Sequence, residues 1–221
     1  MKRKCFKSIL IIIIALSILA ICKLPQEQTV FKEEARTSSK VVALTFDDGP
    51  SRYTSMLLDG LKERDVKVSF FVLGSKAEKN YEILKRMSDE GHLIGNHTYS
   101  HKNLYRLSAE EIFNEIDKTN LIIESITGTS TKYFRPSYGL YNQKIEELTN
   151  MKIILWNLDT LDWKTKNSKQ ITRRVVSTVK DGSIILMHDI YKTSVKAALD
   201  IIDKLQEEGY TFLRVDELMM R

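Results

Sequence analysis

The chain has 221 residues, of which 43% are hydrophobic and 29% charged, a composition that suits one ordinary globular domain and excludes a largely disordered chain. Its formal net charge of +5 comes from five basic residues before position 24: Lys2, Arg3, Lys4, Lys7 and Lys23. The 34 basic residues less these five leave 29, which balance the 29 acidic residues, so the rest of the chain gives no support for nucleic-acid binding.

The first 23 residues predict a secretory signal peptide or a membrane anchor. A basic segment, 1–7, precedes 15 consecutive apolar or small residues, 8–22. A buried core helix is the alternative, but the charge asymmetry favours export, and an uncleaved anchor is the preferred interpretation. Residues 24–39 are polar and charged and predict a linker to a folded domain, 40–221.

Both cysteines, Cys5 and Cys22, lie in this leading segment. The domain from residue 40 onward therefore has no disulfide and no thiolate metal ligand. Any metal ion in that domain would have to be bound by histidine and carboxylate side chains.

From residue 40, short apolar segments alternate with amphipathic ones. Seven segments predict strands: 41–46, 68–73, 93–96, 132–134, 153–158, 183–187 and 211–213. Six predict helices: 54–64, 77–90, 109–127, 143–150, 169–180 and 195–208. Ser108 and Glu111 have the spacing of a capping box, and Gly128 marks the end of that helix. The alternation predicts an α/β fold with a parallel sheet, either a distorted seven-stranded (β/α) barrel or an open doubly wound sheet.

Polar side chains follow five of the predicted strands, and in such folds ligands bind at the carboxyl ends of the strands. Each motif alone has an ordinary structural explanation, such as a solvated turn, a surface arginine or a buried histidine. Five together indicate an active site. Its candidate residues are Asp47, Asp48, His97, His101, Arg135 and His188, together with an acidic residue of the segment 159–163.

A metal site is predicted from three of these side chains. His97 and His101 are four residues apart, which would place them on one face of a helical turn. With Asp48 they form a set of two histidines and one carboxylate that leaves positions open for water and substrate. Zinc is the preferred ion, and cobalt, nickel and manganese also suit these donors.

The segments TFDDGP (45–50), HTYSH (97–101), RPSYG (135–139), DTLDW (159–163) and LMHD (186–189) resemble, in order, the five motifs of the polysaccharide deacetylases. This is the NodB-homology group, also called carbohydrate esterase family 4, and the resemblance covers residues 40–221. It implies a distorted (β/α) barrel and a hydrolase that uses a divalent metal and water. One departure is Ser137, which stands where the family often has a second proline.

The resemblance also implies a role for each residue. The metal ligands would be Asp48, His97 and His101. The general base would be Asp47, paired with Arg135, and the general acid would be His188, paired with Asp162. The backbone N–H of Tyr138 would bind the oxyanion, and Trp163 and Leu186 would shape the groove and the acetyl pocket. Pro136 would also belong to the substrate-binding residues.

The expected function is removal of N-acetyl groups from a cell-wall polysaccharide, with N-acetylglucosamine residues of peptidoglycan as the favoured substrate. The protein would act as a monomer outside the membrane of a Gram-positive-like envelope, anchored by its N-terminal segment or secreted. Two alternatives remain: an esterase that removes O-acetyl groups from xylan or another polymer, and a catalytically inactive carbohydrate-binding module.

Overall fold

The computed structural model describes residues 40–221. The predicted signal peptide or anchor, 1–23, and the predicted linker, 24–39, lie outside the described residues. Among the helices of residues 40–221, none is both long enough and apolar enough to cross a bilayer.

The described residues form eight strands and nine α-helices, with strand and helix alternating through most of the domain. The strands are β1 (Lys40–Asp47), β2 (Ser69–Val72), β3 (Leu93–Asn96), β4 (Tyr133–Phe134), β5 (Lys152–Ile153), β6 (Leu158–Asp159), β7 (Ser183–His188) and β8 (Tyr210–Phe212). The helices are α1 (Thr54–Glu63), α2 (Gly74–Ala77), α3 (Tyr81–Asp89), α4 (Ala109–Thr127), α5 (Gln143–Thr149), α6 (Asp162–Thr165), α7 (Ser168–Thr178), α8 (Lys192–Glu207) and α9 (Val215–Leu218).

All strand pairs are parallel, as the alternation predicts. The strand order is β5-β4-β3-β2-β1-β7-β6, and β8 also pairs with β1. Strand β1 is central, and all of its residues except Lys40 are buried. Val42, Leu44 and Phe46 belong to one large core that α1 and α8 also line, and Ala43 belongs to a smaller one. Because buried parallel strands read as continuous apolar runs, β1 and β7 were recognisable from sequence.

The predicted strand 153–158 is wrong as a single strand, because it forms β5 and β6 at opposite ends of the sheet. Four residues join them. At one end Ile154 donates its N–H to the Phe134 carbonyl at 2.9 Å, and at the other Asn157 donates its N–H to the Ile184 carbonyl at 3.1 Å. This segment therefore borders both β4 and β7. The sheet curls back on itself, which is consistent with a distorted barrel.

Helix α4 has the bounds that the sequence predicts, because both of its ends carry strong local signals. Ser108 and Glu111 form the capping box, each side chain accepting a hydrogen bond from the other residue's backbone N–H. Gly128 ends the helix with φ of 72°, a conformation that glycine adopts without a Cβ penalty. The predicted helix 77–90 is corrected to α3, which begins at Tyr81 because the separate short helix α2 precedes it.

Candidate active site

A cavity of about 410 Å³ opens at the carboxyl edge of the sheet. The residues that line it come from the ends of β1, β3, β4, β6 and β7 and from the segment between β5 and β6. They are Asp47, Asp48, His97, His101, Tyr138, Trp156, Asp159, Trp163, Leu186 and His188. Residues that are far apart in sequence thus share one cavity, because parallel strands all end at the same edge.

Three of the lining side chains form a group with the geometry of a metal site. Asp48 Oδ1 lies 3.5 Å from His97 Nε2 and 3.4 Å from His101 Nε2. Metal–ligand bonds of about 2.0–2.2 Å at tetrahedral angles would separate ligand atoms by roughly this distance. Asp48 Oδ1 is buried and has no hydrogen-bond partner among the described residues. Since a buried carboxylate oxygen without a partner is costly, these residues fit a divalent cation.

The two histidines converge, but not on a helical turn, so that part of the prediction is wrong. The loop between them bends, and both Thr98 and His101 have positive φ, 70° and 61°. Thr98 Oγ1 accepts a hydrogen bond from the His101 N–H at 3.0 Å. The same oxygen lies 3.2 Å from Ser137 Oγ. The serine that departs from the family pattern therefore makes a buried polar contact beside this loop.

The orientation of His97 is set by a contact behind the cavity. Its Nδ1 lies 2.6 Å from the carbonyl oxygen of Arg135. A carbonyl can only accept, so Nδ1 donates to it, and Nε2 is the nitrogen that faces Asp48 and the cavity. For His101, burial lowers the pKa, which favours the neutral imidazole that metals bind.

Asp47 and Arg135 form a buried ion pair beneath the cavity. Arg135 Nη1 donates to Asp47 Oδ1 at 2.7 Å and to Thr45 Oγ1 at 2.8 Å. The same guanidinium donates to the carbonyls of Ile154 and Leu155. Burial lowers the pKa of Arg135, and the Asp47 carboxylate counteracts that effect. Arg135 thus joins β1, β4 and the segment that closes the sheet, and it holds one carboxylate oxygen of Asp47.

His188 and Asp162 form a second pair at the end of β7, which neighbours β1 on the side away from β2 and β3. Asp162 is fully buried and accepts hydrogen bonds from both Nδ1 and the backbone N–H of His188, each at 2.8 Å. Burial alone would lower the pKa of His188, but the hydrogen bond and the charge of Asp162 outweigh it and raise the pKa to about 9. His188 therefore carries a proton at neutral pH.

Three of the four residues predicted to contact substrate line the cavity, and the fourth, Pro136, does not. Tyr138 and Trp163 are exposed at the cavity mouth, and Leu186 is buried in its wall. Tyr138 has φ of 63°, and its ring packs against that of His101 with centroids 4.6 Å apart. Pro136 is buried and does not line the cavity; its carbonyl accepts the N–H of Gly139. A direct contact between Pro136 and substrate has no support in this geometry.

Two lining residues, Trp156 and Asp159, were absent from the predicted site. Trp156 lies in the segment between β5 and β6 and covers Gly139, where a Cβ would approach the indole to 2.8 Å. The sequence predicts that Trp156 lies inside the strand 153–158, and nothing in the sequence distinguishes it from the other apolar residues of that segment. Asp159 ends β6, and the motif DTLDW contains it. Its position after a strand could have marked it, but of the two acids in this motif the family resemblance assigned a role only to Asp162.

Comparison with known proteins places the chain among deacetylases. A family model described as polysaccharide deacetylase matches residues 34–153. The peptidoglycan-N-acetylmuramic acid deacetylase PdaC of Bacillus subtilis (strain 168) is 43% identical over 199 residues, which cover 90% of this chain and 42% of that protein. The peptidoglycan-N-acetylglucosamine deacetylase PgdA of Listeria monocytogenes serotype 1/2a (strain 10403S) is 40% identical over 196 residues, 88% of this chain and 42% of that protein. The chain thus spans less than half the length of either relative.

The fold agrees with the sequence similarity. The structure of peptidoglycan deacetylase PdaC from Bacillus subtilis matches with a TM-score of 0.81 at 44% identity, and the match covers 82% of this chain and 91% of that one. Both the sequence and the fold are therefore shared over most of the described domain.

Proposed function

The chain belongs to the polysaccharide deacetylase family, and from that premise we propose that it hydrolyses N-acetyl groups on an amino sugar of the cell wall, with N-acetylglucosamine of peptidoglycan as the favoured substrate. One observation carries the proposal. The group of Asp48, His97 and His101 opens on the same cavity as a carboxylate, Asp47, and a protonated imidazole, His188. A metal site, a base and an acid around one cavity are the groups that metal-assisted amide hydrolysis uses.

Asp48, His97 and His101 would hold one divalent ion. Zinc is the ion we propose, because one carboxylate and two imidazoles are donors that it prefers, and cobalt, nickel or manganese could replace it. When bound, such an ion polarises the substrate carbonyl and makes water a better nucleophile near neutral pH. The remaining steps belong to the protein's own side chains.

Asp47 would act as the general base. Its Oδ2 lies 3.7 Å from His97 Nε2, so the carboxylate faces the metal site, while Arg135 occupies Oδ1. One oxygen is thus held and the other is directed to the cavity. A base must lie within hydrogen-bond reach of the proton that it removes, and a fixed carboxylate meets this condition without reorganisation.

His188 would act as the general acid. Its Nδ1 is engaged by Asp162, which leaves Nε2 as the nitrogen that faces the cavity and can donate a proton to the departing amine. Amide nitrogen is a poor leaving group until it is protonated, so this step decides whether the intermediate proceeds to products. A pKa of about 9 keeps His188 protonated at neutral pH.

The backbone N–H of Tyr138 would stabilise the oxyanion, a contribution typically worth about 3–4 kcal/mol of barrier. Leu186 and Trp163 would enclose the acetyl methyl, because both border the cavity and offer apolar surface beside its polar groups. The exposed ring of Trp163 is also suited to cover a sugar face.

The choice of acetyl group and sugar can be tested directly. Purified chain with Zn²⁺ would be incubated with N-acetylglucosamine oligomers, with peptidoglycan fragments and with acetyl-xylan, and products identified by mass spectrometry. Loss of one acetyl mass from the glucosamine residues supports the proposal. Deacetylation of muramic acid alone would assign the activity that PdaC is named for, and acetate release from xylan alone would favour the esterase. No release from any substrate would contradict the proposal.

The inactive-module alternative predicts that at least one ligand, base or acid is absent or misplaced. The five residues proposed for these roles, Asp47, Asp48, His97, His101 and His188, all line one cavity, which supports an enzyme. Purified chain that binds no divalent metal would favour the module.

The chain would act outside the membrane, since its predicted substrate is the wall and residues 1–23 predict export. Whether it is anchored or released is open to a fractionation experiment: anchored protein sediments with membranes, and released protein does not. A monomer remains our prediction, checked by light scattering.

A further inference from the structure

Helix α4 buries a carboxylate in the middle of its apolar face. Ile112, Ile116 and Ile123 pack into the core on this face, and Glu115 lies among them with 7% of its surface exposed. Glutamate is rarely buried unless its charge has partners, because desolvation of a carboxylate is costly. The partners of Glu115 therefore indicate what the residue does.

Those partners belong to the loop that carries the two histidines. Glu115 Oε2 accepts the backbone N–H of Ser100 at 2.8 Å, and Oε1 accepts the Ser100 hydroxyl at 2.6 Å. Lys102 Nζ lies 3.6 Å from Oε1 at the surface. Both carboxylate oxygens of Glu115 thus accept hydrogen bonds from Ser100, and Ser100 directly precedes His101.

The loop needs such support because its backbone is strained. Thr98 and His101 both have positive φ, which costs a residue with a Cβ free energy unless surrounding contacts impose it. Thr98 is held by hydrogen bonds to its neighbours, and its Oγ1 accepts the His101 N–H. The Tyr99 carbonyl accepts the N–H of Ser75, and Ser100, the residue before His101, is held by Glu115.

We propose that Glu115 is a positioning residue for the metal site: by binding Ser100 at two points, it holds His101 in the left-handed conformation that directs Nε2 towards Asp48. The inference rests on the proposed metal site and adds a residue that touches neither metal nor substrate. Residues that orient metal ligands from behind typically change metal affinity by about 10–100-fold when they are lost.

The experiment measures zinc affinity of the purified chain by competition with a chromophoric chelator, so the readout does not depend on activity. Glu115→Leu removes both acceptors at similar volume and should weaken zinc binding by about 10–100-fold. Ser100→Ala removes only the hydroxyl contact and should weaken binding less. Because the two changes break the same interaction, the double variant should lose less than the two single losses combined.

Two variants separate positioning from general destabilisation. Glu115→Gln can still accept the Ser100 N–H and donate to the Ser100 hydroxyl, so its zinc affinity should stay close to that of the parent chain. Ile112→Ala opens a cavity one turn earlier on the same face of α4 and lowers the melting temperature without touching Ser100. Its zinc affinity should also be retained.

Parent-like zinc affinity in Glu115→Leu would overturn the inference, and so would an equal loss in Ile112→Ala. If Glu115→Leu does not fold, Ser100→Ala decides, and unchanged affinity there counts against the inference. A parent chain that binds no zinc would instead overturn the proposed metal site, and the role of Glu115 with it.

Discussion

Asp162 binds His188 twice, accepting one hydrogen bond from the ring nitrogen Nδ1 and one from the backbone N–H of the same residue. The two contacts fix both the rotation of the ring and the position of the main chain. Because Asp162 is fully buried at the start of α6 while His188 ends β7, the pair also joins two elements that are distant in sequence. The charge of this carboxylate sets the pH at which His188 loses its proton.

Asp162→Asn should move the alkaline limb of the pH–rate profile to lower pH. In the parent chain His188 has a pKa of about 9, so the donated proton is lost only as pH rises through that value. Asparagine carries no charge, so burial would then dominate and lower the pKa towards or below the ordinary 6.5. The kcat measured between pH 5 and 10 checks this.

Asp159→Asn is the matched control, because Asp159 lines the same cavity and its Oδ1 bonds the Leu161 N–H instead of His188. Its alkaline limb should coincide with that of the parent. An unmoved limb in Asp162→Asn would contradict the assignment of His188 as the acid.

The same pair predicts how stability depends on pH. The pKa of His188 is raised on folding, so the pair stabilises the folded chain fully below about pH 6.5, and this contribution is lost as pH rises through about 9. The difference in unfolding free energy between the parent and His188→Gln, measured by urea denaturation, should therefore shrink from pH 6 to pH 10. A difference that is constant over this range would show that the charged pair does not contribute.

His188→Ala should lower kcat by about 100–10,000-fold, the usual contribution of a general acid. Zinc content should be unchanged, because His188 is not in the group of possible ligands. Steady-state kinetics and metal analysis of the same sample check both statements. Near-parent amide hydrolysis, or a loss of zinc that accounts for the lost activity, would each rule out the proposed role.

Arg135→Met should destabilise the fold strongly, by roughly 3–5 kcal/mol, since it leaves the Asp47 carboxylate buried without its partner. Arg64→Met provides the comparison. Arg64 also binds a carboxylate, Asp203, but at the surface, where such pairs contribute about 0–1 kcal/mol. Chemical denaturation of both variants measures the difference. Equal losses would mean that burial of the Arg135 pair has no special consequence.

Asp48→Ala should abolish stoichiometric zinc binding, because the only carboxylate of the predicted ligand set is lost. Extraction with a chelator should likewise inactivate the parent chain, and added Zn²⁺ should restore it, whereas the variant should not recover. Metal content after dialysis is the measurement. One equivalent of zinc retained by Asp48→Ala would contradict the ligand set.

The order of strands and helices was largely determined by local sequence. Continuous apolar runs predict β1 and β7, and the capping box with Gly128 defines α4 to the residue. These signals are local, since each depends on side chains within a few positions of one another. The segment 153–158 could not be predicted in this way. Its two halves pair with different strands, and nothing local distinguishes a strand that changes partners from one that does not.

The candidate site also has a part that local sequence predicts and a part that depends on contacts between distant elements. Residue type and position after a strand were sufficient to identify Asp47, Asp48, His97, His101, Arg135 and His188 as candidates, and the family resemblance added Asp162. Only the tertiary structure decided that the histidine loop is strained and not helical, that Trp156 and Asp159 border the cavity, and that Glu115 reaches Ser100. These features depend on contacts between elements distant in sequence, and such contacts leave no periodicity or spacing in the chain that could report them.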